Sequence, residues 1–106
     1  MFAQIITQNI KTDYLAKFNE TIENKIVPMF RKQKGFVDEI TLVSPSKIEC
    51  ITLSLWESKE DAETFTRDTY PTFVSTMSTL IDGTPRVKTY EVSHSTFHKL
   101  ASLVTV

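Results

Sequence analysis

The chain holds few residues with chemistry in them, and most have a plain structural use. Cys50 is the single cysteine, so no intramolecular disulfide can form. It sits in the strand-like run Glu49-Cys50-Ile51-Thr52-Leu53, where a lone cysteine behaves as a small buried hydrophobe rather than a nucleophile. His94 and His98 are four apart, which would put two imidazoles on one helical face. No third ligand accompanies them, and in a strand-like tail they would stand too far apart for one metal, so they read as solvated histidines. Asn9, near Thr12, suits a strand-to-helix turn whose backbone it would satisfy. Trp56 reads as a packed aromatic, Tyr70 before Pro71 as a turn residue, and Phe65, Phe73 and Met77 as core. The sequence has no Gly-rich phosphate loop, nucleophile motif, metal-spaced cluster or internal repeat.

Composition narrows the setting. At 106 residues there is room for one domain with a core that needs no staples. The apolar content of 41% and charged content of 24% fit a soluble globular chain. A formal net charge of −1, with lysines and arginines scattered among acids, gives no reason to expect nucleic acid or an anionic membrane surface as a partner. No apolar run approaches the roughly 20 residues needed to cross a bilayer, and the N-terminal residues lack a signal-peptide pattern. The expected setting is reducing and cytoplasmic.

The elements that position these residues follow from periodicity. Phe2 to Gln8 is β-branched and aromatic, a first strand. Thr12 and Asp13 are good N-caps for a helix whose stripe is Leu15, Phe18, Ile22, Ile26, Met29 and Phe30, with Pro28 bending it late and Lys32-Gln33-Lys34-Gly35 ending it. Phe36 to Val43 and Ile48 to Trp56 read as strands joined by Ser44-Pro45-Ser46-Lys47. In the second, Ile51, Leu53 and Leu55 form an apolar face, with Cys50, Thr52, Ser54 and Trp56 on a mixed one. Ser58 caps a further helix with Asp61 three residues on; Asp68-Thr69-Tyr70-Pro71 interrupts it, and Phe73, Met77, Leu80 and Ile81 continue it. Asp82-Gly83-Thr84-Pro85 is a turn before a last strand, Arg86 to Val92.

The order βαββαβ predicts an α+β ferredoxin-like domain with a four-stranded antiparallel sheet over residues 1–95, and a tail over 96–106. Two helices cover one sheet face, so the other must meet water or a partner. With Phe2 or Ile6, Trp56, and Tyr90 or Val92 expected there, it is too apolar for water, and a homodimer is the economical solution. Leu103-Val104-Thr105-Val106 could add an edge strand to that partner.

Val27-Pro28, Lys34-Gly35-Phe36, Leu55-Trp56-Glu57-Ser58-Lys59-Glu60-Asp61-Ala62 and Gly83-Thr84-Pro85, in that order along the chain, resemble the antibiotic biosynthesis monooxygenase family of dimeric α/β barrels. The resemblance implies two subunits packed sheet to sheet, each with a small ligand cavity between sheet and helices. The family spans cofactor-independent oxygenases of phenols, haem-degrading oxygenases and proteins without known activity. The haem-degrading branch implies an asparagine ending strand one and a tryptophan and histidine on helix two. Asn9 matches, but Phe65 and Ser75 stand in the other two places, and serine cannot ligate haem iron. Haem degradation is therefore not expected, nor any cofactor or metal. The resemblance instead suggests oxidation of a small aromatic phenol or quinol, with Asn9 steadying the anion at the mouth of a pocket walled by Phe65, Phe73 and Met77. Trp56 and Tyr70 would add polar tips beside those apolar walls. The competing reading is a non-catalytic ligand-binding or stress-response dimer of the same fold. The polar content of the pocket discriminates the two.

Overall fold

The computed structural model describes residues 1–97. Its strands are Phe2–Ile10 (β1), Phe36–Val43 (β2), Glu49–Trp56 (β3) and Ile81–Glu91 (β4). Between β1 and β2 run α1 (Leu15–Thr21), a π-helical segment (Ile22–Ile26) and α2 (Val27–Arg31); between β3 and β4 run α3 (Lys59–Asp68) and α4 (Tyr70–Met77). The sheet order is β2-β3-β1-β4 with every neighbouring pair antiparallel, the ferredoxin-like arrangement the sequence predicts. Among the described residues no helix is long and apolar enough to cross a membrane. His98 and the expected edge strand Leu103 to Val106 lie outside the described residues.

Local chemistry explains most boundaries. Ser58 caps α3, its Oγ accepting from the Asp61 backbone N–H at 3.1 Å. Pro71 in the first turn of α4 uses a position where no backbone donor is needed. Gly35, with φ +78°, ends the first helical region; a Cβ there would lie 2.0 Å from Asp61 Oδ2, so glycine is demanded by conformation and by close approach alike.

Four details depart from the sequence reading. Neither Thr12 nor Asp13 caps α1: the cap position is Tyr14, and Asp13 takes φ 68° in the turn before it. The expected bend at Pro28 is resolved as a π-helical segment just before it, which absorbs the missing backbone donor by re-spacing the hydrogen-bond ladder. Asp82-Gly83-Thr84-Pro85 is not a turn before β4 but a bulge inside it. Register passes from Thr7↔Arg86 to Asn9↔Asp82, so Gln8 on β1 faces a longer stretch of β4. Finally, β1 extends through Ile10, which leaves Asn9 inside a strand rather than in a junction.

The largest correction concerns which sheet face the helices cover. They pack on Gln4, Ile6, Gln8 and Ile10 of β1 and on Cys50, Thr52, Ser54 and Trp56 of β3, all buried. Trp56 is thus a core residue, in contact range of Phe30 and Phe65 at 6.2 and 5.2 Å between ring centroids. Ile6 joins it in the core. The uncovered face carries Ala3, Ile5, Ile51, Leu53 and Leu55, with Tyr90 and Val92 as expected.

Candidate active site

Cross-strand register arranges the helix-covered face in rows, because directly paired residues share a face. Phe36, Trp56 and Phe2 form an aromatic row at one end. Glu39, Ser54, Gln4 and Thr89 make a polar row beside it. Thr41, Thr52, Ile6 and Val87 come next, then Val43, Cys50 and Gln8. The surface beneath the helices therefore interleaves amides and hydroxyls with apolar residues such as Ile6, Ile10, Cys50 and Trp56.

Part of this polar surface is internally satisfied. Gln4 Nε2 donates to Thr66 Oγ1 of α3 at 2.6 Å, and that hydroxyl donates onward to the Ala62 carbonyl at 3.0 Å. Trp56 Nε1 donates to Ser54 Oγ at 2.9 Å, which holds the indole against the sheet. The rest is not satisfied. Gln4 Oε1, both amide atoms of Gln8, and Thr52 Oγ1 are buried with no hydrogen-bond partner among the described residues. Each such group costs about 1–3 kcal/mol of desolvation that nothing in the protein offsets. Because Thr66 pins the Gln4 amide, its oxygen is held as an acceptor; Gln8 offers an acceptor and a donor side by side.

The electrostatics match this picture. Glu39 is half-buried, and desolvation raises its carboxyl above the ordinary value; the hydrogen bond from Thr41 opposes that shift and the neighbouring Asp38 adds to it. Burial likewise pushes the Cys50 thiol up to about 11, tempered by the adjacent Thr52 hydroxyl and reinforced by Glu39. That hydroxyl is close enough to act on the thiol without forming a hydrogen bond of normal geometry. A thiol held this high stays protonated at neutral pH and is a poor nucleophile. Burial also raises the Tyr70 phenol, so it remains a neutral donor.

The structure brings five of the six residues singled out in the sequence into one cluster. Trp56, Phe65, Phe73 and Met77 are fully buried together, and Tyr70 packs on them, stacking on Phe73 at 5.8 Å between centroids. Asn9 is not among them. Strand alternation turns it to the opposite face, where it is exposed and pairs with Glu49 and Asp82. It lines an open polar groove of about 310 Å³ with Thr7, Gln8, Glu49, Asp82, Gly83, Thr84 and Arg86, and Phe65, Phe73 and Met77 take no part in that groove. His94 is exposed beyond β4, bonded to Ser93 at 2.9 Å. No group of three or more metal-ligating side chains occurs among the described residues. The residues missed from sequence are Gln4, Gln8, Thr52 and Glu39. For Gln4 and Gln8 the signal was the alternation Gln4-Ile6-Gln8-Ile10 on β1, polar residues spaced two apart from obligate core residues.

Comparison with solved structures bears on the architecture that holds this site. A monooxygenase encoded by the Streptomyces coelicolor gene ActVA-Orf6, solved with nanaomycin D, superposes with TM-score 0.74 at 17% identity, covering 89% of this chain and 88% of that one. SnoaB from Streptomyces nogalater, a cofactor-independent oxygenase solved in a mutant form, gives 0.72 at 12% identity, covering 92% and 97%. A provisionally named antibiotic biosynthesis monooxygenase of Nitrosomonas europaea gives 0.72 at 18% identity, covering 89% and 100%. The chain has the antibiotic biosynthesis monooxygenase fold. The likeness is one of backbone: no family model matches the sequence, and neither does any curated protein. Within this fold the helix-covered face sets buried amides beside an aromatic wall.

Proposed function

We propose that this chain is a monooxygenase of the antibiotic biosynthesis type, acting on a small phenolic or quinol substrate without metal or flavin, as a cytoplasmic homodimer. The observation that carries this is the set of buried, unpartnered polar atoms on Gln4, Gln8 and Thr52. An all-apolar interior would favour mere packing or passive binding; a polar one, next to an aromatic wall, favours a ligand whose hydroxyl and carbonyl groups complete those bonds. Trp56, Phe65, Tyr70, Phe73 and Met77 would enclose the ring. Gln8 Nε2 would donate to oxygen as negative charge develops there, the task expected of Asn9 from sequence. In such a reaction the substrate supplies the electrons. A ring C–H and the phenolic O–H, with dioxygen, become the two carbonyls of a quinone and water, one oxygen atom entering the substrate and the other leaving with both hydrogens.

The uncovered face supports the dimer. Ile40, Leu42 and Tyr90 are 47%, 49% and 49% exposed there, beside Ala3, Ile5, Ile51 and Leu53. A sheet-to-sheet contact burying more than about 2,000 Å² in total would cover them, with residues 96–106 as a tail packing on the partner. The test is oxygen uptake with hydroxylated naphthalenes and anthracenes. We expect turnover of at least one, falling about 10²- to 10³-fold in Gln8→Leu, the scale of losing one oxyanion donor. Absence of both uptake and binding across that panel would overturn the reading.

A further inference from the structure

We infer that Glu39 is the general base of this site: its carboxylate takes the proton of the substrate's phenolic hydroxyl, leaving an aromatic anion for dioxygen to oxidise. The inference rests on the phenol-oxidising reading above and adds to it the group that starts the reaction. The step balances as a proton transfer, with carboxylate and phenol becoming carboxylic acid and phenolate; the oxidant consumed afterwards is dioxygen.

Register places Glu39 on the right face. It pairs with Ser54, and Ser54 with Gln4, so its side chain belongs to the helix-covered polar row. Asp38, Glu49, Asp82 and Glu91, the other strand carboxylates, are exposed. Thr41 Oγ1 donates to Glu39 Oε2, which orients the carboxylate. Thr41 in turn pairs with Thr52, whose hydroxyl is one of the unpartnered buried groups. The base and the ligand-seeking atoms therefore lie on adjacent strands of one face.

Glu39 also lacks a counter-charge. No lysine, arginine or histidine pairs with it among the described residues. The charged and titratable groups acting on it are Asp38 beside it and Cys50 across on β3, neither of them cationic. α2, which packs against β2, brings Arg31, exposed and making no ion pair with it. A half-buried carboxylate kept without a cation is a liability to stability, and such groups cluster where proton transfer is needed. A carboxyl raised toward neutrality is also better matched to a phenol than an ordinary glutamate would be. Neither Cys50 nor Tyr70, both shifted upward, can take that proton near neutral pH.

The experiment pairs binding with turnover, on the full chain. Binding of 2-naphthol is compared with that of 2-methoxynaphthalene, which lacks the O–H, across pH. The wild type should prefer the naphthol by about tenfold once Glu39 is ionised, a preference that fades as pH falls and Glu39 is protonated. Glu39→Gln should make the preference independent of pH and lower kcat for quinol oxidation about 10²- to 10⁴-fold, with KM rising no more than about tenfold. Thr41→Val removes the bond that favours the carboxylate, so it should move both the binding midpoint and the rising limb of kcat to higher pH. An unchanged preference and pH profile in Glu39→Gln would overturn the assignment even if the wild type oxidises quinols. The expected binding behaviour with no oxygen uptake from any quinol would instead overturn the oxygenase reading, and the base with it.

Discussion

The two faces of this sheet reverse the usual division of labour. The face beneath the helices mixes Ile6, Ile10, Cys50 and Trp56 with Gln4, Gln8, Thr52, Ser54 and Glu39. The bare face presents Ala3, Ile5, Ile40, Leu42, Ile51, Leu53 and Leu55. In a monomeric two-layer domain the aliphatic face would turn toward the helices, since that burial supplies most of the stability. Here the helices bring Phe18, Phe30, Phe65 and Phe73, and the sheet answers with Trp56, Ile6, Ile10 and Cys50 interleaved with amides and hydroxyls. The main core and the buried polar groups thus share the covered side, while the bare side keeps exposed aliphatics. On the proposed reading a second subunit would cover the bare side, and a ligand would satisfy the unpartnered polar groups of the covered side.

The bare side offers the most severe disruption of that division. Leu53→Asp places a charge amid the apolar face, next to Ile5 and Ile40, and should leave only monomer or unfolded chain at micromolar concentration. Sedimentation velocity reads the outcome, and a wild-type monomer at that concentration would refute the pairing. Next in size is Trp56→Ala, which empties the space beside the stacked Phe30 and Phe65 and removes the indole donor to Ser54; a loss of about 3–5 kcal/mol in urea unfolding is expected. Gln8→Leu should move the other way. With two unpartnered amide atoms replaced by a similar volume of hydrocarbon, the ligand-free protein should gain about 1–2 kcal/mol while ligand binding weakens. A destabilised Gln8→Leu would mean that the amide is satisfied after all.

Two smaller effects probe the same contrast. The Cys50 thiol, raised from 9.0 to about 11 by burial, keeps its proton in the folded state where the unfolded chain has lost it. Below pH 9 this contribution is fully present, and it is lost as pH rises from about 9 to 11. Stability should fall across that window, and Cys50→Ala should flatten the decline. Asn9→Ala on the exposed side should change stability by less than about 0.5 kcal/mol and leave ligand affinity as it was. A loss of ligand binding there would return the site to the bare face.

Legibility in the sequence followed the range of the forces involved. Ser58 with Asp61, Tyr70-Pro71 and Gly35 mark boundaries through bonds within a few residues, so they could be read directly. Trp56, Phe65, Phe73 and Met77 read correctly as residues that cluster, because large aromatics and methionine are buried wherever the chain allows. Asn9 was misplaced because strand length and facing decide where its amide points. Asn9 shares its strand face with Ala3, Ile5 and Thr7, and that face is the one the helices leave bare. Gln4 and Gln8 went unrecognised because glutamine on a strand normally faces water.

Local propensity and patterning, both written in the sequence, were enough for the order of strands and helices, the hydrophobic period of each, and hence a ferredoxin-like topology. They were not enough for the face of that sheet the helices take, which waited on the tertiary structure. Both faces of β1 and β3 carry enough apolar area to serve, and a period of two records that the faces differ without recording which is inside. The choice is made by packing at a distance, where Phe30 and Phe65 close over Trp56 and Thr66 reaches Gln4. With that choice Glu39 and Gln8 turn inward and Asn9 outward, because successive side chains on a strand alternate.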